Sequence, residues 1–209
     1  MSSITNPIFV SIVGDKGVGK SSFISRHTSL VDEFPKNPRN HDPVDLIRST
    51  SIGDITFRLF DGTTGLRSAQ AVILMFDVTN ENSFKNLDKW FACIKKQNTK
   101  KIPIILCANK IDAPKRLVLY NKIYDYLLKI KTLYPDLVYH EISVRTNYCR
   151  EKPFHSILTN LLKDTTITFN DMMPIFYPRR IQQLIDIEND WYMDCKSNDS
   201  ELCLPVSGF

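Results

Sequence analysis

The sequence predicts an α/β fold: a doubly wound, mostly parallel sheet with one antiparallel edge strand, followed by a C-terminal helical extension. Two observations and one general rule predict it. Short apolar runs alternate with longer segments in which apolar residues recur at helical spacing. Strands that alternate with helices form parallel sheets through right-handed crossovers. Two neighbouring runs, residues 44–51 and 54–60, are joined by the tight Ile52-Gly53 turn, which predicts an antiparallel hairpin at one edge.

The first elements follow from the order of residue types. Residues 8–14 form a short apolar run that is typical of a buried strand, and residues 20–29 read as the start of a helix. Residues 30–43 hold three prolines and many polar side chains, which predicts a long loop. The hairpin of residues 44–60 comes next.

The second half of the domain repeats the alternation of strand and helix. Strands are predicted at residues 71–77, 102–108 and 137–143. Helices are predicted at residues 83–97, 116–131 and 151–164. The run 102–108 is continuously apolar, as expected for a central parallel strand that is covered on both faces.

Residues 165–209 are predicted to form an extension to a first domain of residues 1–164. Pro174 and Pro178 indicate an irregular linker. Apolar residues then recur at roughly helical spacing, which predicts an amphipathic helix over residues 179–193 and a flexible end. The apolar face of this helix can pack on the first domain or bind a partner, and both alternatives stay open.

A phosphate-binding loop is predicted between the first strand and the first helix. Residues 14–21, Gly-Asp-Lys-Gly-Val-Gly-Lys-Ser, fit the pattern G-x-x-x-x-G-K-[ST]. Glycines let successive backbone N–H groups point at a phosphate, and the helix start adds its positive dipole end. Lys20 is expected to reach the outer phosphates, and the Ser21 hydroxyl to ligate Mg²⁺. The candidate phosphate-binding residues are Asp15, Lys16, Gly17, Val18, Gly19, Lys20, Ser21 and Ser22.

A second segment indicates which base is bound. The predicted strand 102–108 ends in Asn109-Lys110-Ile111-Asp112, the N-K-x-D element of guanine-nucleotide-binding proteins. Ligands of open α/β sheets lie beyond the carboxyl ends of the strands, so the placement fits. A carboxylate at Asp112 can accept from the ring N–H and the exocyclic amine of guanine, and the Lys110 stem can lie along the base. By itself the segment could be a polar loop that caps a core strand.

At this point the chain resembles the Ras-superfamily small GTPases, and within them the Ran proteins. The similarity covers most of residues 8–164, with a gap in the middle. It includes Arg26-His27-Thr28, Met75–Thr79, Lys85-Asn86-Leu87, Trp90, Asn147-Tyr148 and Glu151–Phe154.

The resemblance implies a fold, a chemistry and a role. The fold is the P-loop NTPase G domain, which binds GTP or GDP with Mg²⁺ held by Ser21 and Asp61. Ser143, Val144 and Arg145 stand at the loop that lines the guanine pocket, and Phe34 stands where a phenylalanine packs on the base. A core-filling role for Phe34 is the alternative. The implied biological role is nucleocytoplasmic transport, with importin-type carriers or Ran regulators as partners.

The chain departs from the family pattern where catalysis is concerned. Asp61-Gly62-Thr63-Thr64-Gly65 stands where the family has D-x-x-G-Q, so Gly65 replaces the glutamine that orients the attacking water. The segment that follows is much shorter than in Ran. Residues 30–43 contain no threonine to ligate Mg²⁺, although Asp42 could substitute. We therefore expect guanine-nucleotide binding with slow hydrolysis and weak discrimination between GTP and GDP.

Two other functions stay open at this point. The first is a pseudo-GTPase that holds nucleotide without hydrolysing it and binds or competes for Ran partners. The second is a scaffold whose pocket is not used for nucleotide. Nucleotide content after gentle purification separates the second from the others, and single-turnover hydrolysis separates the first from a GTPase.

Composition bounds the remaining possibilities. A net charge of +4 over 209 residues is mild, and no basic cluster is dense enough to predict nucleic-acid binding. Five cysteines without paired spacing favour reduced thiols. No apolar stretch could span a bilayer, and neither a signal peptide nor a lipidation motif is recognisable. These features predict a soluble protein of the cytoplasm, the nucleus or both, without a membrane anchor.

Overall fold

The computed structural model describes residues 6–28 and 42–170. Within these ranges, six strands form one sheet in the order β2-β3-β1-β4-β5-β6. The strands are β1 (Ile8–Val13), β2 (Val44–Thr50), β3 (Gly53–Asp61), β4 (Ala71–Asp77), β5 (Ile104–Asn109) and β6 (Val138–Glu141). The helices are α1 (Lys20–Thr28), α2 (Glu81–Lys85), α3 (Leu87–Gln97), α4 (Tyr120–Lys131) and α5 (Lys152–Leu162).

The pairing of the strands confirms the predicted fold class. β1 pairs in parallel with β3 and β4, and β4, β5 and β6 continue in parallel. β2 alone is antiparallel to its neighbour, and it lies at the edge of the sheet. The register sets Asp61 beside Ile12, and Asp77 beside Asn109. β1, β3, β4 and β5 run in the same direction, so their carboxyl ends lie together at one end of the sheet.

Helices cover both faces of the sheet, which explains the continuous apolar runs in its centre. Every residue of β4 and β5 is buried. One core cluster includes Phe23 of α1 and Phe154 of α5. The other includes Phe91 of α3 and Leu127 of α4. The two clusters are the two sides of a doubly wound sheet.

Several predicted boundaries are wrong, and local polar contacts explain the largest differences. The helix predicted at 83–97 is two helices, because Asn86 ends α2 and begins α3 with its side chain turned to Asp15. The helix predicted at 116–131 begins only at Tyr120, because the N–H groups of Leu117 and Val118 donate to the carbonyl of Val78.

Smaller differences concern the ends of other elements. The strand predicted at 102–108 begins after Pro103, which has no N–H to donate to a ladder. The strand predicted at 137–143 ends at Glu141, and the helix predicted at 151–164 spans Lys152–Leu162. The hairpin turn lies at Ser51-Ile52, since Gly53 already pairs with Thr50.

After α5 the chain returns to the edge of the sheet. Lys163 ends the helix in a left-handed conformation with φ 56°. Ile167 is 1% exposed within the core, and Phe169 forms an antiparallel bridge with Thr50. Phe34 and the helix predicted at 179–193 lie outside the described residues. No helix in the described ranges has the length and hydropathy needed to cross a bilayer.

Candidate functional site

The loop of residues 14–19 joins β1 to α1 and packs against the ends of β4 and β5. Gly14 has φ 139° and Gly19 has φ 106°, backbone conformations that residues other than glycine rarely adopt. A Cβ on Gly14 would lie 2.1 Å from the carbonyl oxygen of Met75, and one on Gly19 would lie 2.4 Å from Nδ2 of Asn109. Glycine at these two positions therefore allows the loop to approach its neighbours closely.

The Lys20 ammonium lies at the base of this loop. Its Nζ donates to the carbonyl oxygens of Gly14 at 2.9 Å and Asp15 at 2.8 Å. Burial lowers the pKa of Lys20, and the nearby carboxylates of Asp61 and Asp15 oppose that shift. The Lys20 ammonium is thus held at the start of α1. Its positive charge adds to that of the helix dipole, and both favour binding of an anion there.

The remaining residues of the predicted phosphate-binding set differ in exposure. Lys16 and Gly17 are exposed, whereas Ser22 is half-buried in the first turn of α1. Val18 is 0% exposed, and its side chain belongs to the core cluster of α1 and α5. Only the backbone of Val18 can therefore face a ligand.

Ser21 and Asp61 bring two hard oxygen atoms together. The Ser21 hydroxyl donates to Oδ2 of Asp61, which the pairing with Ile12 holds at the end of β3. Among the described residues no group of three or more His, Cys, Asp and Glu could hold a metal ion. Mg²⁺ commonly takes one or two protein oxygens and completes its shell with waters and phosphate oxygens, so this pair fits Mg²⁺.

The Asn109 side chain connects the phosphate-binding loop to the loop after β6. Its Nδ2 donates to the carbonyl of Val18 at 2.8 Å, and its Oδ1 accepts from the N–H of Val144 at 3.1 Å. Asn109 is only 2% exposed. A buried amide with partners at both ends fixes the spacing of the two loops.

Lys110 and Asp112 are held beside this bridge. Lys110 has φ 66°, and its ammonium donates to the carbonyl of Gly17 at 2.8 Å and pairs with Asp77 at 2.7 Å. The half-buried Asp112 accepts from the Ser143 hydroxyl at 2.7 Å. Ser143 in turn accepts from the N–H of Thr146. Three separate segments of the chain therefore converge at one edge of the sheet.

Arg145, the last residue of the predicted guanine-binding set, is exposed at the margin of this convergence. Its carbonyl accepts from Nη2 of Arg26 in α1 at 3.3 Å. The contact joins the loop after β6 to the end of the helix that begins at the phosphate-binding loop.

Sequence reasoning missed the residues that support the Asp15 carboxylate. Nδ2 of Asn86 and Nε1 of Trp90 each donate to it at 2.7 Å. Both residues are among those that resemble Ran in the sequence. Their contact with Asp15 could not be predicted, because they lie more than 70 residues further along the chain. The two donors couple the phosphate-binding loop to α3.

The base of the loop after β6 has a second support that sequence reasoning missed. Glu141, 8% exposed, accepts from Arg116 at 2.5 and 3.0 Å and from the Tyr139 hydroxyl at 2.7 Å. The Arg116 guanidinium also lies 3.7 Å from the ring centroid of Tyr120. This network holds the end of β6, from which Ser143 follows after one residue.

The segment between β3 and β4 is packed rather than projecting. Gly65 is buried, and a Cβ there would lie 2.3 Å from Cγ of Phe60. Leu66 is 0% exposed within the core. Nδ2 of Asn98 donates to the carbonyls of Leu66 at 2.8 Å and Ala69 at 2.9 Å. The segment that follows Asp61 is thus fixed to both the sheet and α3.

Comparison with known families agrees with this geometry. The model of the Ras family matches residues 10–163. The match spans β1 to α5, including the phosphate-binding loop and the segment Asn109-Lys110-Ile111-Asp112.

Proposed function

The chain belongs to the Ras family and is a small GTPase that binds guanine nucleotide; on that premise we propose that it binds GTP and GDP with Mg²⁺ and hydrolyses GTP slowly. The observation that carries the proposal is the convergence of the three loops through Asn109. A side chain that spaces the phosphate-binding loop from the loop after β6 would set the distance between the phosphates and the base.

The phosphate end of the site is assigned to the loop between β1 and α1. The backbone N–H groups of residues 15–22 would donate to phosphate oxygens, and Lys20 would exchange its two carbonyl partners for the outer phosphates. Ser21 and Asp61 would hold Mg²⁺, which neutralises charge between the phosphates when it is bound.

The guanine end is assigned to the other two loops. Asp112, oriented by the Ser143 hydroxyl, would accept from the two N–H donors of guanine. Adenine does not present that pair of donors, so the carboxylate would select the base. Lys110, Val144 and Arg145 would line the pocket, with the Lys110 stem along the base face.

Slow hydrolysis is proposed from the surroundings of Gly65. Hydrolysis needs a group that orients the attacking water and stabilises charge in the transition state. Phe60 fills the space in which a side chain at position 65 would begin. Leu66, the residue after Gly65, is fully buried and fixes the backbone at this point. The chain would therefore bind nucleotide better than it turns it over.

A Ran-like role in nucleocytoplasmic transport is the finer part of the proposal. It is supported by Asn86 and Trp90, which contact Asp15, and by His27 and Phe154, whose rings pack 4.7 Å apart. The partners would then be importin-type carriers or Ran regulators, in the cytoplasm, the nucleus or both. The domain that carries this role would comprise residues 1–164, with residues 165–209 as its extension.

A pseudo-GTPase is the second candidate function, and the buried Gly65 specifically favours it. In that case the chain would hold nucleotide as a structural ligand and would bind or compete for partners of active relatives.

The deciding experiment measures bound nucleotide and its turnover. Protein purified gently in Mg²⁺ is denatured, and the released nucleotide is identified by chromatography. We expect guanine nucleotide in wild type, its loss in Lys20→Ala, and its retention in the control Lys115→Ala, which alters an exposed lysine outside the site. Protein that purifies without nucleotide and does not bind added GDP contradicts the proposal. Single-turnover hydrolysis then separates a slow GTPase from a pseudo-GTPase.

A further inference from the structure

The segment between β3 and β4, residues 62–70, is attached to β1 at both of its ends. At the start, the N–H of Gly62 donates to the carbonyl of Ile12 at 2.9 Å. At the end, the N–H of Gln70 donates to the carbonyl of Phe9 at 2.8 Å, and Oε1 of Gln70 accepts from the N–H of Phe9 at 3.0 Å. Both ends are therefore fixed to a strand in the interior of the sheet.

The middle of the segment is held by Asn98, the residue that follows α3. Asn98 is 5% exposed, and its Nδ2 donates to the carbonyls of Leu66 at 2.8 Å and Ala69 at 2.9 Å. Its Oδ1 accepts from the N–H of Lys100 at 3.0 Å. Both amide hydrogens and the amide oxygen are thus in use. Separation of the segment from α3 would leave these buried groups without partners, which opposes it.

Apolar packing supports the same attachment. Leu66 is 0% exposed and Ala69 is 2% exposed, and both belong to the core cluster that contains Phe91 and Ile94 of α3. Within the segment, the N–H of Ala69 donates to the carbonyl of Gly65 at 2.9 Å. Movement of the segment away from α3 would take the Leu66 side chain out of the core and into water.

We propose that residues 62–70 keep one conformation whether GDP or GTP is bound, a proposal that rests on the nucleotide binding proposed above. Many GTPases couple nucleotide state to shape through segments that the γ-phosphate and Mg²⁺ order and that hydrolysis releases. A ligand shifts such an equilibrium only by as much as its affinities for the two conformations differ. In this chain, release would break the contacts of Asn98 and of Gly62 and expose Leu66. The packed conformation is therefore favoured with either nucleotide.

The consequence concerns how partners read this face of the protein. Thr64, Arg67 and Ser68 are exposed on the segment, whereas its buried residues contact α3 and β3. A partner that contacts these exposed side chains would meet the same surface in the GDP and GTP states. Its affinity would therefore not depend on which nucleotide is bound.

Amide hydrogen exchange of the full chain, followed by NMR, tests the proposal. Wild-type protein is loaded in Mg²⁺ with GDP or with the non-hydrolysable GTP analogue GppNHp. The N–H groups of Leu66 and Ala69 donate within the segment, to the carbonyls of Thr63 and Gly65, and report its opening. We expect the exchange rates at these two amides to agree within about threefold between the two forms. A larger difference overturns the proposal.

Asn98→Ala tests the residue that holds the segment. Removal of both Nδ2 donors should accelerate exchange at Leu66 and Ala69 about tenfold in both nucleotide forms. Thr99→Ala alters the exposed neighbour and is the matched control, which should exchange at the wild-type rate. Equal rates in Asn98→Ala and Thr99→Ala overturn the assignment to Asn98. Because the two nucleotide forms are compared in wild type, that comparison decides the proposal even if Asn98→Ala does not fold.

Nucleotide content, measured in the same samples, separates this proposal from the proposed function. If either GDP or GppNHp fails to bind, the proposed binding of both nucleotide states is wrong, and the inference falls with it. If both bind and the exchange rates at Leu66 and Ala69 differ beyond the stated limit, the nucleotide binding stands and only the single conformation of residues 62–70 is wrong.

Discussion

The ring of Phe60 occupies the space in which a side chain at position 65 would begin. A Cβ built on Gly65 lies 2.3 Å from Cγ and 2.6 Å from Cδ2 of Phe60. The glycine is thus part of the packing between β3 and the segment that follows it.

If position 65 corresponds to the catalytic glutamine of active GTPases, as proposed, placing a glutamine there should still not speed hydrolysis. Gly65→Gln forces a side chain against the Phe60 ring, and overpacking of this kind costs about 1–3 kcal/mol of unfolding free energy. We expect a lower stability in urea denaturation and unchanged single-turnover GTP hydrolysis. Phe60→Ala in the same chain should recover part of the stability, because the two changes share one space. A faster Gly65→Gln enzyme with wild-type stability would contradict this account.

Because Asn109 bridges two loops of the site, we expect its removal to weaken nucleotide binding. Asn109→Ala leaves the carbonyl of Val18 and the N–H of Val144 without their partner, at a cost of about 1–3 kcal/mol. We expect at least a tenfold rise in the Kd for fluorescent GDP. Asn121→Ala, which alters an exposed asparagine of α4, is the control and should bind normally. Normal affinity in Asn109→Ala would show that the loops are spaced by other contacts.

Base selection can be tested at Asp112. Asp112→Asn replaces an acceptor by a donor, so the preference should move from guanine toward xanthine nucleotides. Ser143→Ala removes the hydroxyl that orients the carboxylate and should weaken GDP binding by roughly 2- to 10-fold without changing the base preference. Competition titrations with GDP and XDP measure both effects. An unchanged preference in Asp112→Asn would exclude this carboxylate from base recognition.

The support of Asp15 from α3 gives another testable contact. Trp90→Phe keeps most of the ring but removes the Nε1 donor, which lies 2.7 Å from the carboxylate. A hydrogen bond to a charged group is worth about 1.5–3 kcal/mol, so we expect a measurable loss of stability and weaker GDP binding. Phe91→Leu changes a neighbouring core residue without touching Asp15 and should lower stability while leaving the GDP affinity unchanged. Equal affinity losses in both variants would point to general destabilisation.

His140 predicts how stability depends on pH. Burial, with smaller contributions from Lys152 and His155, lowers its pKa from 6.5 to about 3, and its Nε2 lies 2.8 Å from the Ser156 hydroxyl. Because the folded pKa is the lower one, the unfolded chain binds the proton first as pH falls below 6.5. The resulting stability is fully present above that pH and is lost progressively toward pH 3.

We expect His140 to account for a loss of about 2 kcal/mol in unfolding free energy between pH 7 and pH 5. His140→Gln should remove that part of the pH dependence in urea denaturation. Burial also lowers the pKa of His27, so some dependence of the same sign remains in the variant. A variant whose stability falls with pH as steeply as wild type would contradict the assignment.

Much of the fold and part of the site could be predicted from local patterns. Local patterns located the six strands of the described sheet to within a few residues. β4 and β5 are apolar throughout because both of their faces are buried, and the Ile52-Gly53 turn pointed to the hairpin of β2 and β3. The loop of residues 14–21 and the segment 109–112 were identifiable because their spacing is short and fixed. The helix predicted at 83–97 was wrong because Asn86 ends one helix in order to contact a distant loop.

The sequence by itself determined the order of the elements, the antiparallel edge and the residue types that end the central strands. These properties depend on hydrophobic periodicity and on backbone geometry within a few residues. Only the tertiary structure decided that Trp90 supports Asp15, that Phe60 fills the space beside Gly65, and that Asn170 pairs with Ser49. Such contacts join residues that are distant along the chain, or they depend on how a buried loop packs. They therefore exist only once the sheet has brought the segments together.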